Sequence, residues 1–330
     1  MRIKRILFSA FAFSVLLFSC NSKKSEVKTE NKKIITVGYA QVGHESDWRL
    51  ANTKSFKDTF TAENGYNLIF VDADNSQESQ IAAMRDFISQ KVDYIVLAPA
   101  VETGWDEILK EAKNAGIPVI LSDRQLKVAD ESLYLCWVGG NFLREGRESV
   151  KWLERYLDKK GRSEDSINIV DLQGSLGSSA QKGRTKGIEE GIRAHDTWHL
   201  VARESGDFNQ EKGRQTMAKI IGEIGADTID VVFAENDDMA WGAIDSLKAA
   251  GKNPGKDVII VSFDAVKESF NRILKGEINC TCECNPLHGP RVDEIIKTLE
   301  RGEPVDRIQY VSEGVFDEEN AAAALPSRAY

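Results

Sequence analysis

The sequence predicts an α/β fold of two similar Rossmann-like lobes, each a parallel sheet flanked by helices. Three observations predict it. Short apolar runs alternate with segments of helical period, the same rhythm runs through residues 37–122 and again through 167–264, and polar side chains directly follow several of the apolar runs. A strand–helix alternation of this kind builds parallel sheets with helices on both faces.

Seven apolar runs predict strands, over residues 34–40, 68–71, 94–98, 118–121, 167–172, 229–234 and 258–263. Because they are rich in β-branched residues and do not alternate with polar ones, they are typical of strands buried on both faces of a parallel sheet. Helical period predicts helices over residues 48–63, 77–90, 105–114, 180–193 and 237–250. Residues 133–140 lie between the two runs of units and are predicted to form a crossing strand.

The beginning of the chain predicts export. Arg2, Lys4 and Arg5 precede an apolar stretch over residues 6–18, which has the length of a signal-peptide core and is shorter than the ~20 residues of a membrane span. The stretch ends in LFSC, which resembles the lipobox of bacterial lipoproteins, where the cysteine is lipidated. We expect residues 1–19 to be a signal peptide and residues 20–33 to be lipidated Cys20 with a flexible tether. Ordinary secretion with an incidental Cys20 is the alternative.

Charge and length narrow the class of protein. Without residues 1–19 the chain has 40 basic and 52 acidic residues, a net charge of −12, and this sign argues against a nucleic-acid partner. The remaining chain of roughly 300 residues is too long for one core and suggests two domains. No second apolar stretch approaches the length of a membrane span, so the expected membrane contact is the lipid anchor alone.

Polar side chains follow the predicted strands in both halves. Asp123 and Arg124 follow one strand, Asn236 and Asp264 follow two others, and Trp48 with its neighbours opens the first helix. The carboxyl ends of parallel strands meet at the edge where α/β proteins bind ligands. An aromatic face beside guanidinium, carboxylate and carboxamide groups suits a small polyhydroxylated molecule. Core packing for Trp48 and helix capping for Asn236 remain the structural alternatives.

Support for catalysis is weak. The motifs G-x-S-x-G, G-x-G-x-x-G, H-E-x-x-H and the Walker A loop are absent, and the four histidines lack metal-ligand spacing, so neither a metal nor a cofactor is expected. Asp123 and Asp264 could form the carboxylate pair of a glycosidase, but the sequence gives no sign of a raised pKa at either. Three alternating cysteines in residues 280–284 are expected to pack as small hydrophobes, while disulfide pairing among them and Cys136 stays open.

Eight segments recur in order and carry a resemblance to a known family. They are VGYAQVG (37–43), SDWR (46–49), AP (98–99), TGW (103–105), DR (123–124), SGDF (205–208), NDDM (236–239) and FD (263–264). Over residues 34–330 the chain is similar to the type I periplasmic sugar-binding proteins of ABC transporters, most closely to those that bind galactofuranose. The resemblance implies two α/β lobes joined by three crossing segments, with a monosaccharide held between them.

The resemblance also implies roles for individual residues. Trp48 and Phe208 would sandwich the sugar ring. The hydroxyls would be hydrogen-bonded by Arg49, Asp123, Arg124, Asn236 and Asp264, with further contacts from Ser46 and Lys182. It further implies a first lobe of residues 34–137 plus 285–310 and a second lobe of residues 138–284 plus 311–330.

Two positions depart from the ribose-binding relatives. Those proteins carry an arginine where this chain has Lys182 and a glutamine where it has Cys284. A thiol cannot replace the paired donor and acceptor of an amide, so ribose is disfavoured.

These features together predict a lipid-anchored solute-binding protein on the periplasmic side of the envelope. It would be a monomer that captures a monosaccharide, galactofuranose or a related aldose, by hinge closure and delivers it to an ABC permease. The alternatives are a sugar sensor of the same fold that signals to a membrane histidine kinase, a glycosidase using Asp123 and Asp264, and the effector domain of a repressor. The export segment and the lack of a DNA-binding helix pair argue against the last.

Overall fold

The computed structural model describes residues 33–330, in which twelve strands form two sheets. In chain order the strands are β1 (Ile35–Gln41), β2 (Tyr66–Asp72), β3 (Tyr94–Leu97), β4 (Val119–Ser122), β5 (Cys136–Gly139), β6 (Ile167–Gln173), β7 (Trp198–Ser205), β8 (Val231–Ala234), β9 (Ile259–Asp264), β10 (Cys280–Glu283), β11 (Ile308–Tyr310) and β12 (Val315–Asp317). The first sheet has the order β11-β5-β4-β3-β1-β2 and the second the order β12-β10-β9-β8-β6-β7. Every pairing is parallel except that of β12 with β10.

Ten α-helices within residues 33–330 flank the sheets. They are α1 (Asp47–Thr59), α2 (Gln77–Gln90), α3 (Asp106–Asn114), α4 (Phe142–Lys159), α5 (Ser179–Arg193), α6 (Gln210–Ile224), α7 (Asp237–Ala249), α8 (Lys267–Leu274), α9 (Gly289–Glu300) and α10 (Ala321–Ala324). The first lobe is the first sheet with α1 to α3 and α9, and the second lobe is the second sheet with the other helices. The predicted class, two α/β lobes with parallel sheets and flanking helices, is confirmed.

The chain passes between the sheets three times. It does so after β5 through residues 140–141, after β10 through residues 284–288, and after β11 through residues 311–314. The predicted crossing strand is β5, which pairs within the first sheet before the chain enters α4. Each lobe is therefore completed by a strand that comes from a distant part of the sequence.

Continuous apolar runs form the central strands because both faces of each sheet are covered by helices. Every residue of β3, β4, β8 and β9 is buried. Cys136 packs in the core of the first lobe, and Cys280 and Cys282 pack in that of the second. No disulfide links the cysteines of residues 33–330, and Cys284 is buried but lies past the end of β10.

The predicted signal peptide, Cys20 lipidation site and tether lie outside the described residues, apart from Lys33 at the tether's end. Within the part that the structure describes, no helix is both long enough and apolar enough to cross a bilayer.

Candidate functional site

A cavity lies between the lobes, where the carboxyl ends of both sheets face each other. Its unfilled space, including the part that is open to solvent, is about 290 Å³. Its walls carry guanidinium, carboxylate and amide groups together with two aromatic rings, and are formed by Glu45, Ser46, Trp48, Arg49, Asp123, Arg124, Ala180, Arg184, Phe208, Asn236, Asp264 and Cys284. Eight of the nine ligand contacts that the sequence suggested therefore lie on one cavity, and Lys182 does not.

The start of α1 delivers three of these side chains. Ser46 is the N-cap, and its Oγ accepts a hydrogen bond from the Arg49 backbone N–H at 3.2 Å. Trp48 is buried, and its Nε1 donates to the backbone oxygen of Cys284 at 2.6 Å. The Arg49 guanidinium lies 4.7 Å from the centre of the Trp48 ring. Helix capping and core packing are thus real roles of Ser46 and Trp48, and both residues also line the cavity.

A buried network of opposite charges forms the wall of the first lobe. Arg49 Nη2 lies 2.6 Å from Asp123 Oδ2, and Arg49 Nε lies 3.1 Å from Glu45 Oε1. Arg124 Nη2 lies 3.3 Å from the same Glu45 oxygen. Burial acts to lower the pKa of Arg49, but Glu45 and Asp123 raise it above its usual value. Glu45 Oε2 is buried without a hydrogen-bond partner and is therefore an acceptor available to a ligand in the cavity.

Backbone strain is concentrated at the cavity. Asp123, Phe208 and Asp264 have backbone φ values of 63°, 57° and 100°, which residues other than glycine rarely adopt. The backbone of Asp123 is held there by Trp137, whose Nε1 donates to the Asp123 carbonyl at 2.8 Å. Such conformations cost about 1–3 kcal/mol each and are typical of positions whose side chains are aimed at a functional site.

Arg184 is the central charge of the second lobe, and the sequence analysis missed it. Its Nε lies 2.7 Å from Glu145 Oε2, its Nη2 lies 3.2 Å from Asp264 Oδ1, and its Nη1 donates to the backbone oxygen of Glu235. Burial raises the pKa of Asp264 to about 8, although Arg184 opposes the rise. Burial acts to lower the pKa of Arg184, but Glu145 and Asp264 hold it well above its usual value.

Lys182 lies two residues before Arg184 on α5 and points elsewhere. Its Nζ lies 2.6 Å from Oε2 of Glu102 in the first lobe, and its side chain is 46% exposed. Residues four apart share a face of a helix, so Ala180 and Arg184 line the cavity together while Lys182 lies to one side. This periodicity was the signal in the sequence that could have indicated Arg184.

Asn236 and Phe208 are linked by a hydrogen bond. Asn236 Oδ1 accepts from the backbone N–H of Met239 at 2.9 Å and so caps α7, while its Nδ2 donates to the Phe208 carbonyl at 3.0 Å. The Phe208 ring lies against Gly174, where an added β-carbon would come within 1.9 Å of the ring. Arg124 and Arg184 lie 5.5 and 5.9 Å from the centre of this ring. A glycine is therefore required for the ring to form this wall.

Contacts beside the cavity join the two lobes. The Asp47 backbone N–H lies 3.3 Å from each carboxylate oxygen of Asp238, and the Gln125 backbone N–H donates to Ser179 Oγ at 2.7 Å. Two parallel-sheet lobes that are joined by three segments and meet around a small polar cavity define a hinged ligand-binding protein.

Comparison with known proteins identifies the family. The family model described as periplasmic binding protein domain matches residues 37–288, and the chain belongs to this family. It is 37% identical over 296 residues to the galactofuranose-binding protein YtfQ of Escherichia coli K12, covering 89% of this chain and 91% of that protein.

Two solved structures are similar over almost the same range. A Mycobacterium smegmatis protein in complex with β-D-fucofuranose is 42% identical with a TM-score of 0.84, covering 88% of this chain and 94% of that one. The arabinose ABC transporter binding protein of Shewanella sp. ANA-3, bound to α- and β-L-arabinofuranose, is 38% identical with a TM-score of 0.83, covering 89% and 95%. The first relative and the Shewanella protein are named as binding proteins.

Proposed function

We propose that this chain binds a monosaccharide in the furanose form, galactofuranose or a related aldose, between its lobes. The observation that carries the proposal is the polar cavity between the lobes, whose walls come from both of them and combine two aromatic rings with paired charged groups. The three relatives named above are described with galactofuranose, fucofuranose and arabinofuranose, and this shared ring form supports the choice of a furanose.

The charges on the walls support a neutral ligand. Arg49 and Arg124 contact Glu45 and Asp123. Arg184 contacts Glu145 and Asp264, so each guanidinium already has an acidic partner. An anionic ligand such as a sugar phosphate would have to compete with these carboxylates. A neutral polyol can instead donate hydroxyl protons to the carboxylates and accept from the guanidiniums, which forms strong charge-assisted hydrogen bonds.

We assign the contacts by position on the cavity. Trp48 and Phe208 stack on the sugar ring from the two lobes. The hydroxyls are bound by Arg49, Asp123 and Arg124 of the first lobe and by Asn236, Asp264 and Arg184 of the second, with Glu45 Oε2 and Ser46 at the rim. Arg184 takes the role that the resemblance gave to Lys182. A ligand held from both sides stabilises the closed state, because the open lobes cannot make these contacts simultaneously.

Membership of the family supports a proposal for the cellular role. We propose that the chain is exported, anchored by lipidated Cys20, and that its closed form delivers the sugar to an ABC permease as a monomer. The arabinose-binding relative is named as a component of such a transporter, which supports this partner. Copurification of the anchored protein with a permease is the expected result, and copurification with a histidine kinase would replace transport by sensing.

Two ring-restricted sugars test the proposal most sharply. The 5-deoxy analogue of galactose cannot close to a pyranose, and the 4-deoxy analogue cannot close to a furanose. We expect only the 5-deoxy analogue to raise the melting temperature and to give heat in calorimetric titration, since a ligand stabilises the state that binds it. Binding of the 4-deoxy analogue alone would refute the furanose assignment, and the absence of binding across pentoses, hexoses and inositols would refute sugar binding altogether.

A further inference from the structure

Two carboxyl groups and one thiol lie close together next to Arg184, at the edge of the cavity. None of the three is among the proposed sugar contacts. Among residues 33–330, Glu145, Cys284 and Glu313 form a group in which one ligand atom of each lies within 4.8 Å of the others. Glu145 and Cys284 are 3% and 2% exposed. Glu145 Oε1 and Glu313 Oε1 are buried, face each other and have no hydrogen-bond partner outside this pair, so a shared proton or a cation has to lie between them.

These two oxygens point into the same space. A β-carbon added to Gly140 would lie 2.6 Å from Glu145 Oε1 and 2.1 Å from Glu313 Oε1, so the glycine leaves this space open. The other oxygen of each carboxylate is held in place. Glu145 Oε2 is bound by Arg184 at 2.7 Å, and Glu313 Oε2 lies 3.3 Å from the backbone N–H of Asn141. Carboxylates oriented through one oxygen while the other stays free are typical of metal ligands.

An acidic pocket connects this group with its surroundings. It is lined by Arg144, Glu145, Glu148, Cys282, Glu283, Glu313, Gly314 and Val315, which is one arginine against four glutamates. On the inner side, Arg184 contacts both Glu145 and Asp264. A divalent cation bound here would displace protons from its ligands, as metal binding to carboxyl and thiol groups does.

We propose that Glu145, Cys284 and Glu313 form a site for a divalent transition-metal ion of the zinc class. A thiolate with two carboxylates favours zinc over magnesium or calcium, which prefer oxygen ligands alone. With bonds of about 2.0–2.3 Å the ligand atoms of a tetrahedral ion lie roughly 3.3–3.7 Å apart, so the group has to close by about 1 Å around the ion. Water supplies the fourth ligand from the acidic pocket.

The position of the site gives it a regulatory role. Cys284 and Glu313 lie in the second and third crossings, and Glu145 lies in the first turn of α4, directly after the first crossing. An ion bound by all three residues ties the hinge segments together in the closed arrangement. Because Glu145 also holds Arg184, the ion and the sugar favour the same state, and each should increase the affinity for the other. This coupling rests on the proposed function, whereas the metal site does not.

Cobalt(II) is the probe for the site itself. The purified full chain is stripped with a chelator, kept reduced and titrated with Co²⁺, without sugar. We expect the absorption of a tetrahedral ion with a thiolate charge-transfer band at one equivalent. Cys284→Ser should lose the charge-transfer band, and Glu313→Gln should weaken binding by about tenfold or more. Cys136→Ser and Glu154→Gln, the latter on the same helix α4 but not on the acidic pocket, are the matched controls and should bind as the unaltered chain does.

Three outcomes decide the proposal. A chain that shows no cobalt band, or a band that survives Cys284→Ser, overturns the site, and Glu145 and Glu313 then share a proton instead. The unaltered chain gives this answer even if a variant fails to fold. Calorimetric titration of the sugar with and without Zn²⁺ then tests the coupling, with several-fold tighter binding expected only when Glu313 is intact. Equal affinities would overturn the coupling, and a lack of any sugar binding beside an intact cobalt band would refute only the proposed function.

Discussion

Lys182 Nζ on α5 of the second lobe lies 2.6 Å from Glu102 Oε2 in the loop after β3 of the first lobe. Lys127 Nζ lies 2.9 Å from the same oxygen. Burial acts to raise the pKa of Glu102, but these two lysines lower it below its usual value. The lysine that the resemblance assigned to the sugar therefore forms an ion pair between the lobes, and its effect on binding should come through closure.

Removing that ion pair should weaken binding only slightly. We expect Lys182→Met to raise the Kd for the sugar about two- to fivefold, because a partly exposed pair contributes roughly 0.2–1 kcal/mol. The increase should shrink at high salt, which screens the pair in the unaltered chain. Calorimetry at two salt concentrations measures it, with Lys186→Met on the same helix as the control. A loss of binding by Lys182→Met that is independent of salt would place Lys182 on the sugar after all.

Arg184 should contribute far more than Lys182. We expect Arg184→Lys to raise the Kd about 10- to 100-fold, because the lysine keeps the charge but loses the planar fork that reaches Asp264 and the cavity, and hydrogen bonds to charged groups contribute about 1.5–3 kcal/mol each. Arg193→Lys is the matched control, since Arg193 lies on the exposed side of the same helix. Unchanged affinity in Arg184→Lys would remove Arg184 from the site.

Most interior strands and the edge strand β2 could be predicted from the sequence, whereas the interior strand β10 and the edge strands β7, β11 and β12 could not. Strands buried on both faces are continuous apolar runs, and all seven predicted runs correspond to strands of the structure. The edge strand β7 is half exposed and mixes apolar with charged residues, and β11 and β12 have three residues each, so none has a distinctive pattern. Helix α4 was not predicted, although Val150, Leu153 and Leu157 on its buried face recur at helical spacing.

Some residues of the candidate site could likewise be predicted from the sequence, and others could not. Residues directly after a strand, such as Asp123 and Asp264, reach the cavity because the strand fixes where they emerge. For residues on the helix that follows a strand, the rotation of the helix about its axis decides which side chains face the cavity. Arg184 and Lys182 are only two positions apart, yet they leave the helix in different directions. Glu45 and Cys284 lie on loops whose path depends on the other lobe, so their placement required the structure.

The contact between Gly174 and Phe208 can be tested by adding one methyl group. Gly174→Ala places a β-carbon within 1.9 Å of the Phe208 ring and should push the ring into the cavity. We expect the Kd to rise about 10- to 100-fold and the unfolding free energy to fall by about 1–3 kcal/mol, the range for an overpacked core. Adding Phe208→Val should restore the stability but not the affinity, because the stacking ring is gone. Recovery of both would show that Phe208 does not contact the sugar.

Asp238 should make stability depend on pH. Burial, with the nearby carboxylates of Asp47 and Asp264, raises the pKa of Asp238 from 3.8 to about 8. Between these two values the folded state holds a proton that the unfolded state releases, so the unfolding free energy falls as the pH rises, by roughly 1 kcal/mol per pH unit. Asp238→Asn keeps an oxygen for the Asp47 backbone N–H and removes the titration. In denaturant titrations, the free energy of unfolding of Asp238→Asn relative to that of the unaltered chain should increase from about pH 4 to pH 8 and then level off. The control Asp245→Asn, on the exposed side of α7, should show no such trend. A constant difference between Asp238→Asn and the unaltered chain across this range would mean that Asp238 is ionised in the folded protein throughout.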